Sequence, residues 1–271
     1  MKKILLIYVI DDYVNAFFLI MSGFGSGIYV GIASGTAEAF MIPFLTIFIG
    51  GTIYQAIGTS LVLDCIIGGV AGLIFLKKGN VDLKPVVILA FTGAIGAFIG
   101  TRFTLNAPES ILGVLIAFVL VFFGINLIKN GVKKNIEYIE NKLDFTWFKN
   151  NKILSFVIFG FIIGFASGFS GMGSSGAVTI ILIFIMGYDL HTSIGTSLIM
   201  MFFIAGSGAV GHVIINENII FFAVLTAGLG AVVGATSGSF IANRIDEDKL
   251  GRLIGFIILV LGLALFFKLF I

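Results

Sequence analysis

The chain has 271 residues, 59% of them hydrophobic and only 11% charged, with a formal net charge of +2. A soluble domain carries roughly a quarter charged residues, so this composition excludes a protein kept in water by its own polar surface. Basic residues confined to loops exclude a nucleic-acid-binding stripe, and a single cysteine, Cys65, excludes an internal disulfide.

Long apolar runs recur from end to end and predict an all-α integral membrane protein. Barrel strands would alternate apolar and polar over about ten residues, whereas these runs are continuous and about twice as long. Ten segments follow in order, at approximately 13–33, 37–49, 53–76, 85–104, 109–129, 153–170, 175–187, 192–214, 219–242 and 249–270. Ahead of the first, Lys2 and Lys3 are followed by Asp11 and Asp12, and no small-residue cleavage site comes after. The first segment is therefore expected to be retained. Segments two and seven are about thirteen residues each, roughly 20 Å of helix against a hydrocarbon core of roughly 30 Å. They are expected to be short tilted spans or re-entrant half-helices.

The polar stretch from Lys129 to Lys152 joins the two halves, with Trp147 expected at the membrane interface. The expected organisation is a first transmembrane repeat (1–130), a charged connecting loop (131–152) and a second repeat (153–271). Charge bias places the loops after segments three, five and nine on one side, but it fits eight spans as well as ten. Ten, with both termini outside, is the favoured arrangement.

The pentapeptide Ile57-Gly58-Thr59-Ser60-Leu61 recurs as Ile194-Gly195-Thr196-Ser197-Leu198. Ala33-Ser34-Gly35 recurs as Ala166-Ser167-Gly168, and Thr92, Gly96 and Gly100 are echoed by Gly230, Gly234 and Gly238. These correspondences predict a polytopic bundle of about eight to ten spans built from two homologous halves. Five segments per half would make it an inverted repeat, as in many secondary transporters.

Candidate site residues fall in three groups. Glycine-rich breaks precede segments two and seven, with Gly35 in the first and Gly171, Gly173 and Gly176 in the second. Backbone N–H groups freed there sit at a helix N-terminus and attract an anion, and Ser170, Ser174 and Ser175 add hydroxyls. The pentapeptides add Thr59, Ser60, Thr196 and Ser197, with Gly58 and Gly195 loosening their helices. Membrane-embedded ionisable groups form the third set. Asp64 shares a helix face with Ser60, and Glu38 opens segment two. Either carboxyl is a candidate for a coupling proton, because burial favours its neutral form. His212 is read as an end-of-span residue facing water, His191 sits just before the second pentapeptide, and Arg102 and Arg244 are read as helix-end anchors. The ridge of Gly230, Gly234 and Gly238 is read as close helix packing. No metal-ligand or hydrolase motif occurs, which implies no cofactor and no enzymatic role.

In this order the motifs resemble the TauE/SafE sulfite exporter family. They are a break, a short segment with Pro43, Gly58-Thr59-Ser60-Leu61, the turn Lys77-Lys78-Gly79-Asn80-Val81-Asp82, and Gly100-Thr101-Arg102. A second round runs through Gly171 to Gly176, Gly195 to Leu198 and Gly211-His212. The resemblance covers essentially the whole chain. It implies a cell-membrane permease for a small sulfur-containing oxyanion such as sulfite or sulfoacetate, coupled to protons. The first break departs from the family's glycine run by carrying Glu38, which must be protonated, paired or turned away beside an anion. A cation or metal carrier using Glu38 and Asp64, and an ion channel, stay open as alternatives.

Overall fold

The computed structural model describes residues 2–104, 106–142, 146–171, 174–183, 187–216, 219–242 and 247–269. The elements are α1 (Lys2–Ala33), α2 (Glu38–Ile47), α3 (Ile53–Lys77), α4 (Leu83–Thr104), α5 (Glu109–Lys142), α6 (Thr146–Asn150), α7 (Lys152–Ser170), α8 (Ser174–Ile181), α9 (Leu190–Asn216), α10 (Phe221–Ile241) and α11 (Glu247–Lys268). Among the described residues, seven helices are long and apolar enough to cross a membrane; they lie in α1, α3, α4, α5, α7, α9 and α10. The apolar runs Glu38–Ile47 and Gly255–Lys268 are shorter, and α8 has eight residues. The protein is thus an all-α polytopic membrane protein, with α2 and α8 as the two short expected segments. Phe91 and Leu225, 69% and 71% exposed, belong to apolar surfaces that suit lipid.

The charged stretch after Lys129 differs from the expected loop, because α5 continues as helix to Lys142. The reason is local: beyond Gly131 the stretch is rich in Lys and Glu, good helix formers.

Helices pair mainly as α1 with α10, α4 with α7, α5 with α11 and α3 with α9. Each pair takes one helix from each expected half. Small residues make the closest approaches. A Cβ on Gly164 would overlap the Gly93 carbonyl, one on Gly168 the Ala97 carbonyl, and one on Gly230 the Ile20 carbonyl. Backbone-to-backbone packing of this kind is what small-xxx-small ridges provide where lipid supplies no hydrophobic drive. Gly195 has the same role and does not loosen α9: a Cβ there would overlap the Asn80 carbonyl.

Two kinks position the site. α1 ends where Ser34 takes a left-handed φ of 52°, its N–H donating to the Val30 carbonyl at 3.0 Å. α7 ends where Gly171 takes a φ of 69° and donates to the Ser167 carbonyl at 2.8 Å. A left-handed residue after the last turn is a common helix stop, and glycine fills it without strain. Ser34 holds that conformation against the usual preference of an L residue. The two stops are spaced like the two pentapeptides. Ser167, matched to Ser34 in the Ala-Ser-Gly correspondence, lies one turn before the second stop, inside α7.

Candidate functional site

The two breaks meet inside the bundle. The hydroxyl of Ser175, at the start of α8, donates to the carbonyls of Ser34 at 3.1 Å and Gly35 at 2.6 Å. Ser34, Thr179 of α8 and Ser197 of α9 form a triangle of hydroxyls. Ser34 lies 2.7 Å from Ser197, and Thr179 lies 2.9 Å from Ser34 and 2.8 Å from Ser197. Ser197 also reaches the Ile194 carbonyl at 2.8 Å. All of these side chains are buried. Ser34 and Thr179 escaped the sequence reading, although Ser34 lay in a flagged tripeptide. Thr179 carried no signal beyond being a hydroxyl in an apolar run.

Two carboxyls lie beside this cluster. Asp64 Oδ1 accepts the Ala37 N–H, at the start of α2, at 2.7 Å. Glu38 is the next residue, 2% exposed, and the two acids lie within reach of each other's charge. The Glu38 Cγ also approaches within 3.4 Å of where a Cβ on Gly171 would stand, which sets this acid against the second break. In the first break the Ala37 N–H is thus taken by the protein's own Asp64.

Several buried polar atoms have no partner in hydrogen-bond geometry. They include both Glu38 carboxyl oxygens, Asp64 Oδ2, Ser167 Oγ, Ser174 Oγ and His212 Nδ1. Ser193 Oγ is a further one. Ser167 lies near the end of α7, Ser174 at the start of α8, Glu38 close to Gly171, and His212 against the Gly168 carbonyl. Buried polar groups are nearly always satisfied, and these are the exceptions among the described residues.

The remaining sequence-predicted residues fall elsewhere. Gly35 offers its carbonyl to Ser175 and packs under the Tyr29 ring. Ser60 turns back to the Ile57 carbonyl at 3.0 Å. Thr59 accepts the Ile220 N–H at 3.0 Å and Thr196 accepts the Asp82 N–H at 3.0 Å. Each pentapeptide threonine thus holds the chain just before a long helix of the other half. Gly173 and Arg244 lie outside the described residues. Arg102 is exposed and lines a surface groove with Phe98, Ile99, Phe103 and Asn106. His191 is half-buried at the start of α9. His212 corrects its expectation: it is fully buried, with Nε2 3.3 Å from the Gly168 carbonyl. Gly211 and Gly208 let α9 lie close to Thr101 and Gly168, which draws this part of α9 inside.

One contact outside the spans joins the halves again. The Tyr188 hydroxyl donates to Asp82 Oδ2, and the Lys84 N–H donates to Asp82 Oδ1 at 2.9 Å. The Tyr188 bond holds the Asp82 carboxyl below its usual range. Desolvation, with the Asp82 bond and charge, pushes the Tyr188 hydroxyl up to about 12.

A polytopic helical bundle with broken helices meeting around buried, unsatisfied polar groups is the architecture of a membrane transporter. The chain belongs to the TauE/SafE family: the family pattern described as "Sulfite exporter TauE/SafE" matches residues 19–265. It is 26% identical over 251 residues to the "Probable membrane transporter protein YdhB" of Bacillus subtilis, covering 92% of this chain and 99% of that one. It is 28% identical over 193 residues to "Probable membrane transporter protein YtnM" of the same organism, covering 70% of this chain and 63% of that one. A "Probable membrane transporter protein" of Xylella fastidiosa is 24% identical over 249 residues, covering 89% of this chain and 91% of that one. No solved structure matches the chain significantly. The chain is a multi-pass membrane transporter of the TauE/SafE type, not an enzyme.

Proposed function

We propose that the protein is a proton-coupled permease of the cell membrane for a small sulfur-containing oxyanion, such as sulfite, sulfoacetate or another organosulfonate. The observation that carries this reading is the set of unpartnered atoms around the α7–α8 break. An oxyanion accepts hydrogen bonds and therefore needs donors. Ser174, at the α8 N-terminus, supplies a buried hydroxyl and the favourable end of a helix dipole. Glu38 and Asp64 repel an anion when ionised and become donors when protonated, so substrate and proton enter together. The acids then act as coupling residues and not as obstacles.

Ser175, Thr179, Ser197 and Ser34 form the wall of the site, and Gly171 and Gly35 let Glu38 and Tyr29 pack close beside it. Thr59 and Thr196 act at the two ends of the path, where each ties one half to the other. The halves are proposed to be an inverted repeat, because the pairings α1·α10, α4·α7, α3·α9 and α5·α11 map onto one another when the halves are exchanged. Rocking of the halves about the site would alternate access.

The test is flux in proteoliposomes with labelled sulfite, thiosulfate and sulfoacetate, with and without an imposed pH gradient. Saturable uptake driven by the gradient is the expected result; no uptake of any anion by folded protein overturns the reading. The cation alternative draws on the unpartnered oxygens of Glu38 and Asp64. Among the described residues, however, no three His, Cys, Asp or Glu side chains converge as a metal site needs. Under that alternative Glu38→Gln with Asp64→Asn abolishes cation uptake, whereas in the favoured reading it removes proton drive and leaves anion binding.

A further inference from the structure

We propose that His212 is a second proton-binding residue of this site, taking up a proton on Nδ1 when the anion binds, separately from Glu38 and Asp64. The inference rests on the proposed oxyanion reading and adds to it the residue that balances the anion's charge.

The geometry fixes the ring's chemistry. A carbonyl oxygen can only accept, so the Nε2 contact with Gly168 requires the proton on Nε2. In the neutral ring Nδ1 is then a bare lone pair, buried and without a partner. Nothing is gained by burying an acceptor in this state. A proton on Nδ1 leaves the Nε2–H bond to Gly168 intact and makes the ring a cation. Buried alone, that cation is costly; paired with a bound anion, it is not. Gly168 lies in the last turn of α7, three residues before the Gly171 stop. Ser167, beside it, presents a second unpartnered atom.

The packed elements contribute few competing charges. α9 packs against α3, α4, α7 and α8. α3 runs antiparallel to α9, with Leu61 against Gly208 and Gly68 against Leu198 and Phe202. It brings Asp64 and Cys65 alongside the middle of α9, with the Cys65 sulfur 3.2 Å from where a Cβ on Gly206 would stand, and leaves Lys77 and Lys78 at the far end. α4 runs parallel to α9, with Gly93 against Ile204 and Thr101 against Gly211; it brings Arg102 near His212, with its side chain exposed, and leaves Lys84 remote. α7 contributes Lys152 at its opposite end, and α8 contributes no ionisable side chain. Among these packed helices Asp64 is the one acid, and α3 also carries Tyr54.

The chain has two histidines, His191 and His212, so nitrogen-15 NMR of histidine-labelled full-length protein in micelles reads each ring directly, with His191→Gln giving the assignment. The probes are thiosulfate and sulfoacetate, whose charged groups stay ionised near neutral pH. The expected result is a neutral Nε2–H tautomer for His212 without anion and a doubly protonated ring at saturating thiosulfate or sulfoacetate. His212→Gln, which keeps an N–H for Gly168, should lower proton uptake on anion binding by about one per anion. A His212 ring that stays neutral with the anion bound, or His212→Gln that takes up as many protons as the wild type, overturns the assignment while leaving the transporter reading intact. Wild-type protein that binds and transports neither anion overturns the oxyanion reading itself.

Discussion

The backbone N–H of Ala37 donates to Oδ1 of Asp64 at 2.7 Å, from residues 27 apart on different helices. The bond anchors the first turn of α2 to α3 and places a carboxylate at the favourable end of a helix dipole. Asp64→Asn keeps an acceptor oxygen there and loses only the proton-binding group. It should fold like the wild type and lose uptake driven by a pH gradient. Asp64→Ala leaves the Ala37 N–H buried without a partner, at a cost of about 1–3 kcal/mol. Thermal unfolding separates the two variants, and equal melting temperatures would contradict the anchoring role.

Thr59 and Thr196 each accept one backbone N–H from the opposite half, from Ile220 and Asp82. Valine has nearly the shape of threonine but no hydroxyl, so Thr59→Val and Thr196→Val should each cost about 1–3 kcal/mol. Serine at either position keeps the acceptor and should restore most of the loss. The melting temperatures of the four variants check this. A valine variant as stable as the serine variant would show that the bond contributes nothing at that end.

Much of the fold was legible because membrane helices announce themselves by length and apolarity, and the short segments two and seven stood out as α2 and α8. The repeated pentapeptides read as ligand-lining, and their threonines hold backbone N–H groups of Ile220 and Asp82. They did not distinguish Ser197, which joins the hydroxyl triangle, from Ser60, which turns back on its own helix. Identical motifs acquired different partners because Thr179 and Ser34 face only one of them, and no local pattern encodes that. His212 was misread because position along an apolar run says nothing of which face is buried. The glycines at 208 and 211 held that information only once their neighbours Gly168 and Thr101 were known.

The glycines differ sharply in tolerance. A Cβ on Gly164 would overlap the Gly93 backbone, whereas one on Gly25 meets nothing within 4 Å. Gly164→Ala should force α4 and α7 apart and cost about 1–3 kcal/mol or more. Gly25→Ala should be neutral or stabilise the helix by about 0.5–1 kcal/mol. Yield of monodisperse protein and its melting temperature in detergent read both effects, and an innocuous Gly164→Ala would refute the close packing of these two helices.

The Tyr188–Asp82 contact joins two loops and has a definite pH window. Asp82 has its carboxyl held below the ordinary value, so its contribution is complete above the unfolded value of about 4 and fades as pH falls through the lowered one. Tyr188 has its hydroxyl raised to about 12. Its contribution is therefore complete below the unfolded value of about 10 and is lost as pH rises through the raised one. The bond should hold throughout the intervening range, so pH changes near neutrality leave it intact. Asp82→Asn removes the charge and should return the Tyr188 titration toward its ordinary value. Ultraviolet absorbance titration of wild type, Asp82→Asn and Tyr188→Phe resolves this one tyrosine by difference. A Tyr188 titration unmoved in Asp82→Asn would mean that burial alone raises it, and that the Asp82 bond contributes nothing to it.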